Sequence, residues 1–536
     1  MLARVWSAAI AGINAIKVGV EVDVSGGLPK TIIVGLPDTA VQESRERVKA
    51  ALKNADFAFP VRKIVINLTP ADLRKEGPCF DLPIGVGILA ASEQVDPQLL
   101  GDHLFYGEVS LDGTLRPVSG VLPIAAAASS IGIAGLIVPR ANALEAAVVK
   151  DVSVYGFDNL QQVADFLNQP HNHQPTVVKD PLKIQDSEKP FLDLKDVKGQ
   201  VHARRALEIA AAGGHNLIFV GPPGSGKTML AKRLPSILPS LSFAEALEVS
   251  QIHSVAGLLK DRGRLITKRP FRSPHHSASG PSLVGGGTYP RPGEISLAHH
   301  GILFLDELTE FKRNVLEYLR QPLEDGLVTI SRTRQSVVFP AQFTLVASTN
   351  PCPCGYFGDS IQNCTCSPRQ RENYWAKLSG PLMDRIDLQV AVNRLKPQEM
   401  TGSSLGEDSS IIKARVITAR QIAQERFKAD NINCNAQMHS SHLREYCVLD
   451  DASRHLLESA IRKLGLSARA MDRVLKVART IADLDSDKPS SIISYHKVTM
   501  SEDVPQKHNI SSRTPRTLQS HHLAEAIQYR TIDRMQ

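Results

Sequence analysis

A glycine-rich segment followed by a lysine and a threonine carries the clearest chemistry in the sequence. It follows an apolar run of strand type, precedes a helical pattern, and comprises Gly221, Pro222, Pro223, Gly224, Ser225, Gly226, Lys227 and Thr228. Backbone N–H groups in such a loop surround phosphate oxygens, and the following helix N-terminus adds positive potential. Lys227 then reaches the β- and γ-phosphates, and the Thr228 hydroxyl binds Mg²⁺. The pattern predicts a site for ATP and Mg²⁺; the alternative is a chance glycine turn.

Two acids, Asp306 and Glu307, follow the next apolar run of strand type. Beside a phosphate loop, Asp306 would complete the Mg²⁺ shell and Glu307 would orient and activate the attacking water. Asn350 ends a third such run, where it could position the water or contact the γ-phosphate. Two alternatives stay open: the acids form an ordinary helix N-cap and first turn, and Asn350 is a common turn residue.

Two arginines beyond these strands could act on the same chemistry. Arg385 lies between acids in residues 384–387, and Arg469 opens a long helical pattern. A fixed cation inserted into a neighbouring subunit's ATP site stabilises the charge that develops during phosphoryl transfer. The alternative for Arg385 is a surface ion pair, which contributes little to stability.

Four of the seven cysteines lie within fifteen residues, with the spacing C-x-C-x₉-C-x-C. They are Cys352, Cys354, Cys364 and Cys366. Four thiolates can bind a structural Zn²⁺ in a tetrahedron, although the usual pairs have the wider spacing C-x₂₋₄-C. The cluster indicates a zinc site in a reducing cytoplasm, and the alternative is four reduced thiols in a loop.

Basic residues concentrate in two places. Residues 260–272 hold six basic residues against one acid, a local excess of +5, among them Lys268 and Arg269. Residues 327–331 and 335–339 read as a hairpin with Arg332 and Arg334 at its tip. Such clusters suit salt-dependent contacts with DNA phosphates, so these four residues are the predicted DNA contacts. The alternative for both places is a solvated basic face.

Composition excludes several classes of protein. The chain has 536 residues, which predicts roughly three domains. A hydrophobic content of 42% and a charged content of 22% exclude wholesale disorder. The net charge of +7 permits a polyanionic partner without requiring one. No stretch reaches the ~18 apolar residues of a membrane span, so we expect no membrane partner, and the cysteine usage indicates a cytoplasmic protein.

Periodicity divides the chain into regions. Residues 1–168 alternate β-branched runs with helical stretches and predict a mixed α/β domain. The first residues faintly resemble a signal peptide but lead into an alternating strand pattern at 18–24, which favours a strand. A proline-rich linker is predicted over 169–190, and a parallel sheet covered by helices over 191–395. Residues 396–536 are predicted to be helical, with a polar insert at 486–520. The fold class is therefore α/β.

Together these motifs resemble an AAA+ ATPase of the magnesium-chelatase-like group, and specifically the ComM/YifB family. The resemblance is carried by the phosphate loop and by residues 305–308, 350–356, 380–387, 466–470 and 477–482, in the family's order. It implies a homohexameric, ATP-driven motor that acts on DNA and promotes branch migration while transforming DNA is integrated. Arg385 would be the arginine finger acting in a neighbouring subunit, and Arg469 the second sensor arginine. The hairpin at 327–339 would line the ring pore. About thirty-five residues intervene where the family passes almost directly between its last two helices.

The first domain resembles the proteolytic domain of Lon. Residues 75–79 match the segment that carries Lon's nucleophile, with Cys79 in the place of the serine. Leu122 occupies the position of Lon's catalytic lysine, and a nucleophile without a base is not activated. We therefore expect a non-catalytic collar. A metal-insertion motor of the chelatase type and an ATP-dependent Lon-like protease are the alternative functions.

Overall fold

The computed structural model describes residues 1–182, 192–259, 263–287, 290–332, 335–395, 406–430, 432–486 and 517–530. Several predicted features lie outside these ranges: Arg334, Lys260, Arg262, linker residues 183–190 and residues 487–516 of the insert. No helix within the described ranges is long and apolar enough to cross a membrane.

The first 168 residues form a seven-stranded mixed sheet with helices. Its strands follow the order β3-β4-β2-β1-β5-β8-β9, and β6 and β7 form a separate small hairpin. The strands are β1 (Leu2–Ala11), β2 (Asn14–Ser25), β3 (Lys30–Val34), β4 (Lys63–Thr69), β5 (His103–Phe105), β6 (Glu108–Val109), β7 (Leu115–Arg116), β8 (Gly135–Pro139) and β9 (Ser153–Phe157). The helices are α1 (Thr39–Asn54), α2 (Asp81–Ala91), α3 (Val121–Ala127), α4 (Arg140–Ala146) and α5 (Leu160–Asn168).

The strand predicted at the N-terminus is confirmed. Strand β1 pairs antiparallel with β2, with Trp6 opposite Gly19. Every second residue of β2 from Val18 to Val24 is buried, which is the alternation that the sequence shows. All eleven residues of α2 are buried, so this helix has no solvent-facing side and lies inside the domain.

Several contacts join this domain to the rest of the chain, and two of them involve Gly12 and Leu122. At the turn between β1 and β2, Gly12 has φ +69°, and a Cβ there would lie 2.5 Å from the Val338 carbonyl oxygen. In the same domain, Leu122 is buried with Ala246, Val249 and Leu265. The position that holds the catalytic lysine in Lon is therefore part of an apolar cluster in this protein.

The central region is built on five parallel strands in the order β11-β14-β17-β10-β18, as the sequence predicts. Two antiparallel pairs, β12 with β13 and β15 with β16, stand outside this sheet. The strands are β10 (Leu217–Val220), β11 (Phe271–Arg272), β12 (Gly285–Gly286), β13 (Arg291–Pro292), β14 (Ile302–Leu305), β15 (Leu327–Arg332), β16 (Gln335–Pro340), β17 (Thr344–Thr349) and β18 (Leu388–Ala391). The helices are α6 (Val201–Gly213), α7 (Lys227–Ala231), α8 (Phe243–Val255), α9 (Gly280–Val284), α10 (Glu294–Leu297), α11 (Arg313–Glu317), α12 (Arg320–Asp325), α13 (Pro368–Trp375) and α14 (Gly380–Met383).

The region after residue 405 is helical, also as predicted. It comprises α15 (Ser409–Arg426), α16 (Ser440–Tyr446), β19 (Val448–Leu449), α17 (Asp451–Leu464), α18 (Ala468–Asp485), β20 (Thr517–Leu518) and α19 (Ser520–Gln528). Residues 474–484 of α18 are all buried, because the helix packs against α6, α15 and α19. An ion pair of 2.9 Å between Arg205 and Glu525 joins α6 to α19.

The predicted limits of the polar insert are wrong at its C-terminal end. Residues 517–518 form β20 beside β19, and α19 begins at Ser520. Leu518 is fully buried and its carbonyl accepts a 3.0 Å hydrogen bond from the Ser453 hydroxyl. A single apolar residue in a polar stretch anchors this strand, and periodicity cannot detect so short an element.

Candidate nucleotide-binding site

The phosphate loop runs from the end of β10 to the start of α7. Gly224 and Gly226 have φ +78° and +94°, a region that favours glycine. Gly221 approaches the backbone so closely that a Cβ would lie 2.0 Å from the Val392 carbonyl oxygen. The backbone path of the loop therefore requires glycine at these three positions.

Lys227, the first residue of α7, is held by the loop that precedes it. Its ammonium group donates to the carbonyl oxygens of Gly221 at 2.6 Å and Pro222 at 2.9 Å. It also donates to Asn350 Oδ1 at 3.2 Å, which joins the loop to the end of β17. Burial lowers the pKa of Lys227 to about 8, because it outweighs the opposite effect of Asp306 and Glu307. An anion bound here would restore the charged form.

Asp306 lies at the end of β14, next to β17 in the sheet. Its Oδ2 accepts a 2.8 Å hydrogen bond from the Thr228 hydroxyl. Its Oδ1 accepts a hydrogen bond from the Ser348 hydroxyl, a contact that no motif predicts. Thr228 and Asp306 together offer the oxygen ligands that Mg²⁺ prefers, and the donor set fits that ion.

Glu307 has an unusual backbone conformation and an exposed side chain. It has φ +53°, which is uncommon outside glycine, and its side chain is more than half exposed. His276 Nδ1 lies 3.7 Å from Glu307 Oε2. His276 belongs to no predicted motif, and its only signal in the sequence is that it adjoins His275 after the basic segment. This contact is a Glu307 side-chain interaction that no motif predicts.

Arg385 is engaged within its own chain. It forms a 2.6 Å ion pair with Glu324 and donates to the Pro381 carbonyl, also at 2.6 Å. Only 8% of Arg385 is exposed. The geometry thus adds a partner, Glu324, that the sequence does not predict. Any action of Arg385 on a neighbouring subunit requires the release of this pair.

Arg469 is exposed near the start of α18 and, with Arg473 one helical turn on, lowers the pKa of Glu324 after the larger effect of Arg385. Arg473 reaches buried Asp387 at 3.0 Å, and His215 contacts the other oxygen at 3.3 Å. Burial raises the pKa of Asp387, but Arg473 and His215 hold it well below its usual range. This buried cluster joins the strand region to α18.

The four clustered cysteines follow Asn350 directly. Their sulfur atoms all lie within 4.8 Å of one another. The Cys352 sulfur lies 3.3 Å from that of Cys354 and 3.6 Å from that of Cys364. The fold therefore brings both C-x-C pairs to one point.

The basic segment at 264–272 is less available for binding DNA than its charge suggests. Arg269 forms a 3.1 Å ion pair with Glu245 and donates to the carbonyls of Pro239 and His300. Arg272 forms a 2.6 Å pair with Glu294. The side chain of Arg269 is 10% exposed, so its guanidinium is committed inside the fold, against the expectation that it contacts DNA. Lys268 is half-buried nearby.

Cys79 has the features of a structural thiol. It is 8% exposed, and burial raises its pKa to about 12. Since the thiolate is the nucleophile, a thiol with this pKa is almost entirely unreactive at neutral pH.

The chain shares family-level similarity with magnesium chelatase along most of its length. Residues 193–400 match the family described as magnesium chelatase, subunit ChlI. Residues 20–142 match subunit ChlI of Mg-chelatase, and residues 406–494 match the ChlI C-terminal family. With the parallel sheet and the phosphate loop, these matches define an α/β ATPase of the magnesium-chelatase-like class.

Relatives that match over nearly the whole chain identify the family within this class. Competence protein ComM of Haemophilus influenzae is 48% identical over 493 residues, covering 91% of this chain and 94% of that protein. YifB of Escherichia coli is 42% identical over 535 residues, covering 100% of this chain and 98% of that protein. The magnesium-chelatase 38 kDa subunit of Rhodobacter capsulatus is 24% identical over 181 residues, covering 30% and 51%. The chain belongs to the ComM/YifB family.

Proposed function

We propose that this protein is an ATP-hydrolysing hexameric ring motor that acts on DNA and drives branch migration during recombination in natural transformation. The observation that carries the ATPase activity is the joint contact of Lys227 with Asn350 and of Thr228 with Asp306. These contacts gather the loop and two strand ends around one point. Family membership implies ATP and Mg²⁺, and the DNA role follows from the similarity to ComM, a competence protein.

In this proposal each residue of the site has a separate role. The loop and Lys227 hold the phosphates, Thr228 and Asp306 hold Mg²⁺, and Glu307 activates the water. Asn350 positions that water or contacts the γ-phosphate. Mg²⁺ held by Thr228 and Asp306 would neutralise the charge that develops on the phosphates. These roles need no residue from another chain.

Arg385 and Arg469 belong to the subunit boundary in the proposed ring. Glu324 holds Arg385 in the isolated chain. A γ-phosphate in the neighbouring site would compete with this carboxylate for the same guanidinium, because both are oxyanions that arginine binds in the same way. The exchange would link assembly to the nucleotide state.

The hairpin β15–β16 is the proposed DNA contact, through Arg332 and Arg334 at its tip, with Lys268 as a further contact. Its register pairs Ile330 with Val337, and both side chains are buried against the core. An anchored base with a basic tip suits a loop that reaches into a pore. In this proposal the protein works in the cytoplasm, and the N-terminal domain is a Lon-like collar without peptidase activity.

The two alternative functions have weaker support. The metal-insertion motor has the chelatase family matches in its favour, but the chelatase 38 kDa subunit is 24% identical over only 30% of the chain, against 48% over 91% for ComM. A protease would require a reactive Cys79, whose high pKa and burial oppose this. Degradation of casein that is lost in Cys79→Ala would support the protease instead.

The test is ATP-dependent movement of a synthetic four-strand DNA junction. We expect movement by the wild type, none by Glu307→Gln, and wild-type movement by Glu310→Gln, an exposed carboxylate three residues away. Binding of a fluorescent ATP analogue should persist in Glu307→Gln, because the phosphate contacts remain. A wild-type protein that hydrolyses ATP but moves no junction would contradict the DNA function.

A further inference from the structure

The cysteine cluster has the dimensions of a metal site. A tetrahedral Zn²⁺ with Zn–S bonds of about 2.3 Å requires sulfur atoms about 3.8 Å apart. The observed separations are 3.3 Å for Cys352–Cys354, 3.6 Å for Cys352–Cys364 and 3.5 Å for Cys354–Cys364. These sulfurs are too far apart for disulfides, whose bond is about 2.05 Å long. A small outward shift opens the cluster to the tetrahedral spacing.

Backbone groups also support the sulfur atoms. The Cys354 N–H points at the Cys366 sulfur at 3.3 Å, and the Cys366 N–H points at the Cys364 sulfur at 3.4 Å. Outer hydrogen bonds of this kind orient metal ligands and stabilise their negative charge. The cluster therefore provides both a donor set and its supporting shell.

The histidine–carboxylate group around His299 does not offer such a set. His299 Nε2 contacts Glu248 at 3.0 Å, and its Nδ1 accepts the Gln342 N–H, also at 3.0 Å. Both ring nitrogens are therefore occupied, and no lone pair of His299 is left for an ion.

The cysteine loop, residues 352–366, packs directly against the phosphate loop. Gly355 has φ +87°, and a Cβ there would lie 2.8 Å from Pro223 Cδ. The Gly355 N–H donates to the Cys352 carbonyl at 2.9 Å, which closes a turn between the first two cysteines. Arg394 strengthens the same junction, since it donates to the Pro223 carbonyl at 3.4 Å and pairs with Asp359 of the cysteine loop at 3.5 Å.

We propose that Cys352, Cys354, Cys364 and Cys366 bind one structural Zn²⁺, and that this ion braces Pro223 of the phosphate loop and Asn350. Four Zn–S bonds would fix the loop, because their free energy offsets the conformational entropy that the loop loses when it is ordered. The Lys227–Asn350 contact then joins two segments whose positions the ion fixes, the phosphate loop and the end of β17. The bracing half of the proposal depends on the nucleotide site proposed above, whereas the metal half does not.

Metal content tests the first half. Elemental analysis of the purified full chain should find one zinc per chain in the wild type and in Cys79→Ala. Cys364→Ser should lose it. Cobalt substitution should give the thiolate charge-transfer absorption of a tetrahedral Cys₄ site, which needs no variant to fold. A wild type that lacks zinc after growth with zinc, or that shows disulfides between these cysteines by mass spectrometry, overturns the metal site.

Nucleotide affinity tests the second half. Removal of zinc with an organomercurial should weaken the binding of a fluorescent ADP analogue about tenfold, while far-UV circular dichroism stays unchanged. Zinc release without any change in affinity overturns the bracing. A zinc-loaded wild type that binds no nucleotide at all overturns the proposed ATP site and leaves the metal site standing.

Discussion

The phosphate site and the basic segment at 264–272 both concentrate charge in a short stretch, yet the fold uses them differently. At the phosphate site, Lys227, Asp306 and Asn350 come from three parts of the sequence and meet at one edge of the sheet. In the basic segment, Arg269 and Arg272 turn inward to Glu245 and Glu294. The first stretch gathers around a space for a ligand, and the charges of the second are neutralised by acids from other elements.

The difference shows what a local charge count leaves out. The excess of +5 in residues 260–272 ignores acids that arrive from α8 and α10. Glu245 is already part of a capping box with Ser242, so one carboxylate both caps α8 and binds Arg269. A motif, in contrast, fixes a backbone path, and that path decides where its side chains point.

The largest expected effect is the loss of ATP hydrolysis in Lys227→Ala. Removal of the buried cation should lower the hydrolysis rate at least about 100-fold, because the developing phosphate charge loses its fixed partner. Lys232→Ala removes an exposed lysine five residues on and should hydrolyse ATP like the wild type. Equal loss in both variants would mean that this stretch is only structural.

A smaller effect should separate the two kinds of arginine. Arg269→Ala breaks an ion pair whose arginine side chain is 10% exposed, and should lower the unfolding free energy by about 1–3 kcal/mol. Thermal unfolding measures this loss, and Glu245→Gln should reproduce much of it.

Arg334→Ala provides the contrast, because we expect it to leave thermal stability unchanged and to weaken DNA binding. The slope of log affinity against log salt should become shallower, by about one unit for each DNA phosphate that the protein no longer neutralises. The basic segment would regain a DNA role if Arg269→Ala flattened the slope and Arg334→Ala did not.

The smallest effect concerns pH. The pKa of Lys227 is lowered to about 8 in the free site, and bound phosphates raise it, so binding takes up a proton. Affinity for ATP should therefore fall as the pH rises through 8, by up to about tenfold per unit. Titration calorimetry in several buffers measures both the affinity and the proton uptake. Lys227→Arg keeps its charge and should show no such dependence, whereas a flat wild-type profile would contradict the lowered pKa.

The sequence predicts the parts of the fold that have a period or a motif. Alternation predicts β2, apolar runs predict β10, β14 and β17, and helical spacing predicts α15, α17 and α18. Asp306 and Asn350 could be placed together because adjacent parallel strands bring their carboxyl ends to one edge. The domain boundaries and the roles of Arg385 and Arg469 stay predictions.

Contacts between residues far apart in the chain could not be predicted. Glu324 beside Arg385, His276 beside Glu307 and Arg473 beside Asp387 each depend on how whole elements pack. A single sequence gives the types of these residues and not their distances. The same limit explains why the sequence assigns Leu518 to a polar insert although the residue is fully buried.

The contact of Gly12 with Val338 has a mechanical consequence. The turn between β1 and β2 lies against β16 of the proposed DNA hairpin, with no room for a side chain between them. Any stroke that displaces this hairpin relative to the sheet must either carry the turn along or pull the two surfaces apart. If the turn moves with the hairpin, the N-terminal domain is part of the load that the proposed motor moves.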